Sequence, residues 1–267
     1  MDSNIASEKL LFDSHAHINY EGYSSDERAA LMERVEASPV ACVLDAGFDI
    51  ESSRQAIADA AEKPWCYAAV GIHPHYAKSF KDEDLETLRA LAKAPEVVAF
   101  GEIGLDYYKD YSPRDMQRNA FRKQLRLALE TGLPIIIHDR ESGGDTINIL
   151  KEEGAFSRTC VLMHCFSGSA EQAMECIDLG CMISIAGPVT YKNNKKTVRV
   201  AMEVPLDHLL IETDAPYLTP EPLRGRGNEP ANVEFVARKI AELRGISYEE
   251  IAAVTLANAK RFFGIEQ

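Results

Sequence analysis

The sequence predicts an α/β protein, a (β/α)8 TIM barrel. Three observations carry this. Short apolar runs rich in β-branched residues alternate with stretches of helical periodicity, the pattern of a parallel sheet covered by helices. The runs end near Asp13, Ala46, Ile72, Gly101, Ile137, Met163, Ile185 and Thr213, at intervals of 33, 26, 29, 36, 26, 22 and 28 residues. Eight such strand–helix units favour a closed barrel over an open sheet. Finally, ionisable residues directly follow several of these runs, and the C-terminal strand ends are where a barrel gathers its chemistry.

Helix signals fall between the runs. Ser112 is placed to cap a helix, with Pro113 at its first position and Gly132 after its end. Ser169 and Gln172 form a capping box, closed by Gly180, and Ser247 with Glu250 repeats it before the last helix. Pro230 opens a helix running through Val236 and Ile240, after a long polar loop from Pro216. No low-complexity segment or linker divides the chain. One domain over residues 1–267 is expected, with its core from about 10 to 264.

Composition narrows the function. The net charge of −13 argues against broad affinity for duplex DNA, although bound divalent cations can invert the field locally. No apolar run approaches membrane-spanning length. The segment Met1-Asp2-Ser3-Asn4 has neither the basic nor the apolar region of a signal peptide. The six cysteines (42, 66, 160, 165, 176, 181) include no CxxC pair, which predicts reduced, mostly buried thiols and a cytoplasmic setting. Cys165 follows His164, but on a strand the two would face opposite ways. No GxSxG elbow, GxxxxGK[ST] loop or GxGxxG fingerprint follows a strand, so serine acyl transfer, P-loop hydrolysis and hydride transfer are unsupported.

The chemistry-bearing residues lie at strand ends. His15 and His17 share a strand face at i, i+2 and can reach one ion. Glu102 lies between Gly101 and Gly104, where a carboxylate can bridge two metals and small neighbours let ions approach. His138, His164 and Asp214 end later runs. Four imidazoles and two carboxylates meeting at one barrel mouth would hold two divalent ions with open positions for water and substrate. Without metal, that convergence carries a large desolvation cost. His73 and His75 form a second i, i+2 pair facing the mouth; both are assigned to the substrate, His73 also to the leaving group, and either could instead fasten the loop. Glu212 would orient a neighbouring histidine, or else pair with Arg140 or Arg224, and shares a face with Asp214 if the strand persists that far. Asp13 is expected to orient His15.

These segments together resemble the TatD family of metal-dependent hydrolases. The motifs are Asp13-Ser14-His15-Ala16-His17, Gly71-Ile72-His73-Pro74-His75, Gly101-Glu102-Ile103-Gly104-Leu105-Asp106, Ile137-His138, His164-Cys165-Phe166-Ser167-Gly168, Glu212-Thr213-Asp214-Ala215-Pro216-Tyr217 and Asn228-Glu229-Pro230. The resemblance spans about Leu10 to Gly264. It implies a distorted barrel, a divalent metal centre at His15, His17, Glu102, His138, His164 and Asp214, and deoxyribonuclease activity, often exonucleolytic from the 3′ end. One loop departs: many members read His-Arg-Gly-Lys-Arg-Asn-Glu-Pro where this chain has Leu223-Arg224-Gly225-Arg226-Gly227-Asn228-Glu229-Pro230.

The expected reaction is phosphodiester hydrolysis of single-stranded or frayed DNA by a metal-activated water. Glu102 would bridge two ions and Asp214 take the proton, with Arg140, Arg224 and Arg226 on phosphates. Histidine-rich ligation favours Zn, Mn, Co or Ni on softness, and family members also work with Mg. The DNA contact would be transient, with no membrane partner; a monomer satisfies this reading. Two rivals remain: the same centre hydrolysing a small ester, amide or phosphoester, and a metal-stabilised scaffold without catalysis.

Overall fold

The computed structural model describes residues 8–265. Met1 to Asn4, the segment read above for a signal peptide, lies outside them. Eight parallel strands are hydrogen-bonded in sequence order: β1 (Leu11–Ala16), β2 (Val40–Ala46), β3 (Cys66–Val70), β4 (Val97–Asp106), β5 (Ile135–Arg140), β6 (Val161–Met163), β7 (Met182–Ile185) and β8 (Leu209–Ile211). Between and after them lie α1 (Ser25–Ala37), α2 (Ile50–Glu62), α3 (Asp82–Leu91), α4 (Arg114–Thr131), α5 (Asp145–Glu152), α6 (Ala170–Asp178), α7 (Lys195–Glu203), α8 (Val233–Arg244) and α9 (Tyr248–Phe263). This is the predicted α/β barrel. Among the described residues no helix is long and apolar enough to cross a membrane.

The barrel interior and the helix-facing shell are separate apolar layers. Phe12, Leu44, Ala69, Ala99, Ile136, Leu162 and Leu210 point inward from seven strands and meet Phe262 and Phe263 of α9 at the floor. The Phe12 and Phe263 rings lie 5.5 Å apart. Burying one such phenylalanine contributes roughly 2–3 kcal/mol. Because side chains alternate along a strand, inward Ile136, Leu162 and Leu210 put His138, His164 and Glu212 on the inner side one step higher. His15 and Glu102 have the opposite parity to Phe12 and Ala99. Register shifts between Asp13 and Ala16, and between Phe100 and Ile103, bring them in.

Several boundaries differ from expectation, each for a local reason. β4 continues to Asp106 instead of stopping near Gly101, because Gly104, Leu105 and Asp106 still pair with His138, Asp139 and Arg140. Gly101 and Gly104 make room for the neighbouring strand, not for ions. Both have positive φ, and a Cβ on Gly104 would lie 2.0 Å from the His138 carbonyl oxygen. β8 stops at Ile211 because Asp13 takes Thr213, accepting from its backbone N (2.8 Å) and Oγ1 (2.5 Å). Asp214 then adopts φ +56°, so strand alternation does not relate it to Glu212. Ser112 does not cap α4. Its hydroxyl accepts from Lys78 N and donates to His75 O, and Pro113 takes the cap position. Pro230 starts a 3-10 turn that leads into α8, and the Ser169–Gln172 box forms as read.

The seam between β8 and β1 is closed by individual hydrogen bonds. Ser14 Oγ donates to Ile211 O (2.9 Å), Asp214 N to His15 O (2.9 Å) and His17 N to Ala215 O (2.7 Å). From below, Asn258 of α9 donates to the carbonyls of Leu206 (2.7 Å) and Leu209 (2.9 Å).

Candidate metal centre

At the C-terminal mouth, five imidazoles surround Glu102, whose two oxygens face different sets. Oε2 lies 3.3 Å from His15 Nε2 and 3.9 Å from His17 Nε2. Oε1 lies 2.5 Å from His138 Nδ1, 3.4 Å from His164 Nε2 and 3.6 Å from His73 Nε2. Asp214 Oδ1 spans the sets, 3.5 Å from His17 Nε2 and 3.9 Å from His164 Nε2. Three overlapping groups each bring donor atoms within 4.8 Å of one another: His15, His17, Glu102; His15, His164, Asp214; and His73, Glu102, His138.

A neutral imidazole ligates through one nitrogen only if the other carries the proton, so its hydrogen bonds report which rings are ready. His17 Nδ1 donates to Ala46 O (2.9 Å), leaving Nε2 free toward Glu102 and Asp214. His164 Nδ1 lies 2.9 Å from Glu212 Oε1, an ion-pair contact without hydrogen-bond alignment, and its Nε2 faces the centre. His138 presents Nε2 to Asp106 Oδ2 at 3.3 Å, leaving Nδ1 for the centre. His15 is fully buried, and neither ring nitrogen has a hydrogen-bond partner. An unmatched pair of buried nitrogens costs a few kcal/mol unless something ligates them. His73 is different. Its Nδ1 accepts from His75 N (3.1 Å), so its proton sits on Nε2 and that atom is a donor, not a ligand. The donor set fits divalent ions: buried, oriented nitrogens about a carboxylate whose two oxygens face separate groups.

The electrostatics agree. Burial opposes ionisation of Glu102, but His73, His164, His138 and His15 together hold its carboxyl well below the ordinary range. Asp214 is likewise held low against burial, chiefly by His17. Burial pushes the pKa values of His138 and His164 down. The carboxylates overcome it, Glu102 and Asp106 for His138 and Glu212 then Glu102 for His164, raising them to about 9 and about 10. Burial dominates at His73 and drives it well below its ordinary value, so it stays neutral. Burial lowers His15 as well.

Other expected residues lie farther out. Glu212 meets His164, while the arginines it might have paired with stack on aromatic rings: Arg140 over Tyr108 (4.0 Å) and Arg224 over Tyr191 (4.3 Å). Arg224 and Arg226 are exposed on a loop held by Asn228, whose amide donates to Thr213 O (3.0 Å) and Tyr217 O (2.6 Å). Asp13 grips Thr213 and touches only the backbone N of His15 (3.4 Å), so it does not orient that imidazole. His75 reaches Asp106 Oδ2 at 2.8 Å, fastening its loop. Asp106 itself escaped the sequence reading. Its carboxylate faces both His75 and His138, and it is buried. The i, i+2, i+4 spacing from Glu102 was the available signal. Cys165 also departs from expectation: β6 ends before it, its φ is +45°, and its sulfur groups with His164 and Glu212.

Comparison with known proteins agrees with this geometry. The family model described as TatD related DNase matches residues 12–264. A Bacillus subtilis protein named "Uncharacterized metal-dependent hydrolase YabD" is 48% identical over 256 residues, covering 96% of this chain and 100% of that protein. The Erwinia tasmaniensis "3'-5' ssDNA/RNA exonuclease TatD" is 35% identical, over 96% of this chain and 100% of its own. The crystal structure of the TatD homolog YjjV from Escherichia coli superposes with a TM-score of 0.89 at 33% identity, covering 97% of this chain and 99% of that one. The chain therefore belongs to the TatD-related DNase family.

Proposed function

We propose that the chain is a single-domain, metal-dependent phosphodiesterase that removes nucleotides from single-stranded or frayed DNA. The observation that carries this reading is the division of Glu102, with one oxygen toward His15 and His17 and the other toward His138 and His164. That geometry supports two divalent sites, His15 and His17 on one side, His138 on the other, with His164 and Asp214 between them. Nitrogen-rich ligation favours Zn, Mn, Co or Ni. Divalent ions there would supply Lewis acidity, polarising the phosphoryl group and acidifying water.

The chain's own residues then have separate tasks. Asp214 is held ionised below neutral pH and stands at the opening, so its Oδ atoms can accept the proton of the attacking water. Neutral His73 points its Nε2–H into the centre and can donate to a phosphate or leaving oxygen. Glu212 and Asp106 fix the rings of His164 and His138. Arg224, from its stack on Tyr191, and Arg226 are exposed and can meet phosphates, and the name of the Erwinia relative supports a single-stranded nucleic-acid substrate. All six cysteines are free thiols, which supports a cytoplasmic setting.

The test is hydrolysis of labelled single strands by metal-loaded protein, with metal content measured by mass spectrometry. Glu102→Ala and Asp214→Ala should abolish metal-dependent cleavage. Full cleavage by either variant, or turnover confined to carbonyl esters, overturns the proposal.

A further inference from the structure

Among the described residues, the exposed large hydrophobics are Tyr76, Tyr108, Tyr111, Tyr217, Met116 and Met202. The four tyrosines, 36, 54, 56 and 51% exposed respectively, all surround the metal centre. On one side, the His17 ring meets Phe48 at 5.6 Å and Tyr217 at 6.2 Å. Phe48 stacks on Tyr76 at 5.8 Å, with ring planes 24° apart. On the other side, His75 meets Tyr111 at 4.8 Å, and the Arg140 guanidinium lies over Tyr108. Scattered exposed rings need no explanation, but four around one opening mark a binding surface.

The two lips differ in charge. Lys109 Nζ stands 6.0 Å from the Tyr108 ring centre and 5.8 Å from that of Tyr111, so with Arg140 this lip carries two cations. The other lip is acidic. Burial, then Asp49 and Glu21, raise the Tyr76 phenol above its ordinary value.

We propose that the lips stack unpaired bases on either side of the scissile phosphate, with the terminal base on the Tyr76–Tyr217 lip and the continuing strand on the Tyr108–Tyr111 lip. This rests on the phosphodiesterase reading. Aromatic faces accept any base, and cations beside them hold the backbone. Phosphates fit next to Arg140 and Lys109. Glu21 and Asp49, close to Tyr76, disfavour a further phosphate on that side, so that lip suits a strand end.

The test compares kcat/KM on single strands that are intact, abasic at the terminal nucleotide, or abasic at the next two upstream. Tyr217→Ala should lose about tenfold on intact strands, within the range for one stacked base, and much less on the terminally abasic strand. Tyr108→Ala should show the same dependence on the upstream bases. Tyr217→Phe and Tyr108→Phe should restore what alanine removes, since the ring and not the hydroxyl stacks. Alanine variants that match the wild type, or lose the same factor on abasic strands, overturn the inference. Failure of the phosphodiesterase reading looks different: the wild type then cleaves no strand at all. In that event, fluorescence anisotropy of a labelled single strand decides. Binding weakened by both alanine variants upholds the lips, and equal or absent binding overturns them.

Discussion

Glu212 is the sharpest place to perturb the centre, because it touches a proposed ligand without being one of the proposed set itself. It is buried, and its Oε1 lies 2.9 Å from His164 Nδ1. Raising His164 from 6.5 to about 10 against burial corresponds to roughly 5 kcal/mol of preference for the charged ring, at about 1.4 kcal/mol per pH unit. Glu212 leads the groups that supply it, ahead of Glu102 and Asp214. Glu212→Gln keeps a polar group beside Nδ1 but removes the charge, whereas Glu212→Ala removes both. Losses of such orienting partners cost about 10- to 100-fold in metal affinity. We expect Gln near the lower figure and Ala near the upper. Competition titration against a chelator measures affinity, and histidine NMR of the metal-free protein should show the His164 midpoint falling in both variants. Wild-type affinity together with an unmoved His164 midpoint would refute the argument.

Three further outcomes follow from the same geometry. In metal-free protein, the raised pKa values of His138 and His164 contribute stability that is complete below pH 6.5 and lost as pH rises through about 9 to 10; urea midpoints should fall over that window, and metal loading should flatten the dependence because ligation replaces those protons. Gly104→Ala should destabilise by about 3 kcal/mol or more, since φ is +147° and the new Cβ would meet His138 O at 2.0 Å; denaturant melts check it, and a near-neutral effect would contradict the packing described. Arg224→Ala combined with Arg226→Ala should raise KM for single strands and flatten the salt dependence of binding, by about 0.7 in log–log slope for each phosphate left without its arginine.

Much of the site was legible because the barrel converts sequence position into spatial position. His138 and His164 each follow an inward residue by two, Ile136 and Leu162, and simple alternation places them. His15 and Glu102 were found as strand-end residues, but the register shifts that turn them inward have no plain signature in the sequence. Asp106 was missed because β4 was cut short at the glycines. Those residues read as a strand end, whereas they let β4 lie close against β5 and continue. The partners of Arg140 and Arg224 were illegible for another reason. A guanidinium on a tyrosine in a different loop depends on how long segments fold back, which local pattern does not encode.

The β8–β1 seam ties the proposed centre to the junction of the wall that lacks a strand ladder. Its bonds run through Asp13, Ser14, His15, His17, Thr213 and Asp214, so the residues that close the barrel also present half of the proposed ligands. A short excursion that parts these bonds would scatter His15, His17 and Asp214 while β2 to β7 stay paired. Activity would then fade on warming before the bulk of the sheet melts. Amide hydrogens of Asp214 and His17 would exchange in step with that early loss, making the seam a local unfolding unit with its own threshold.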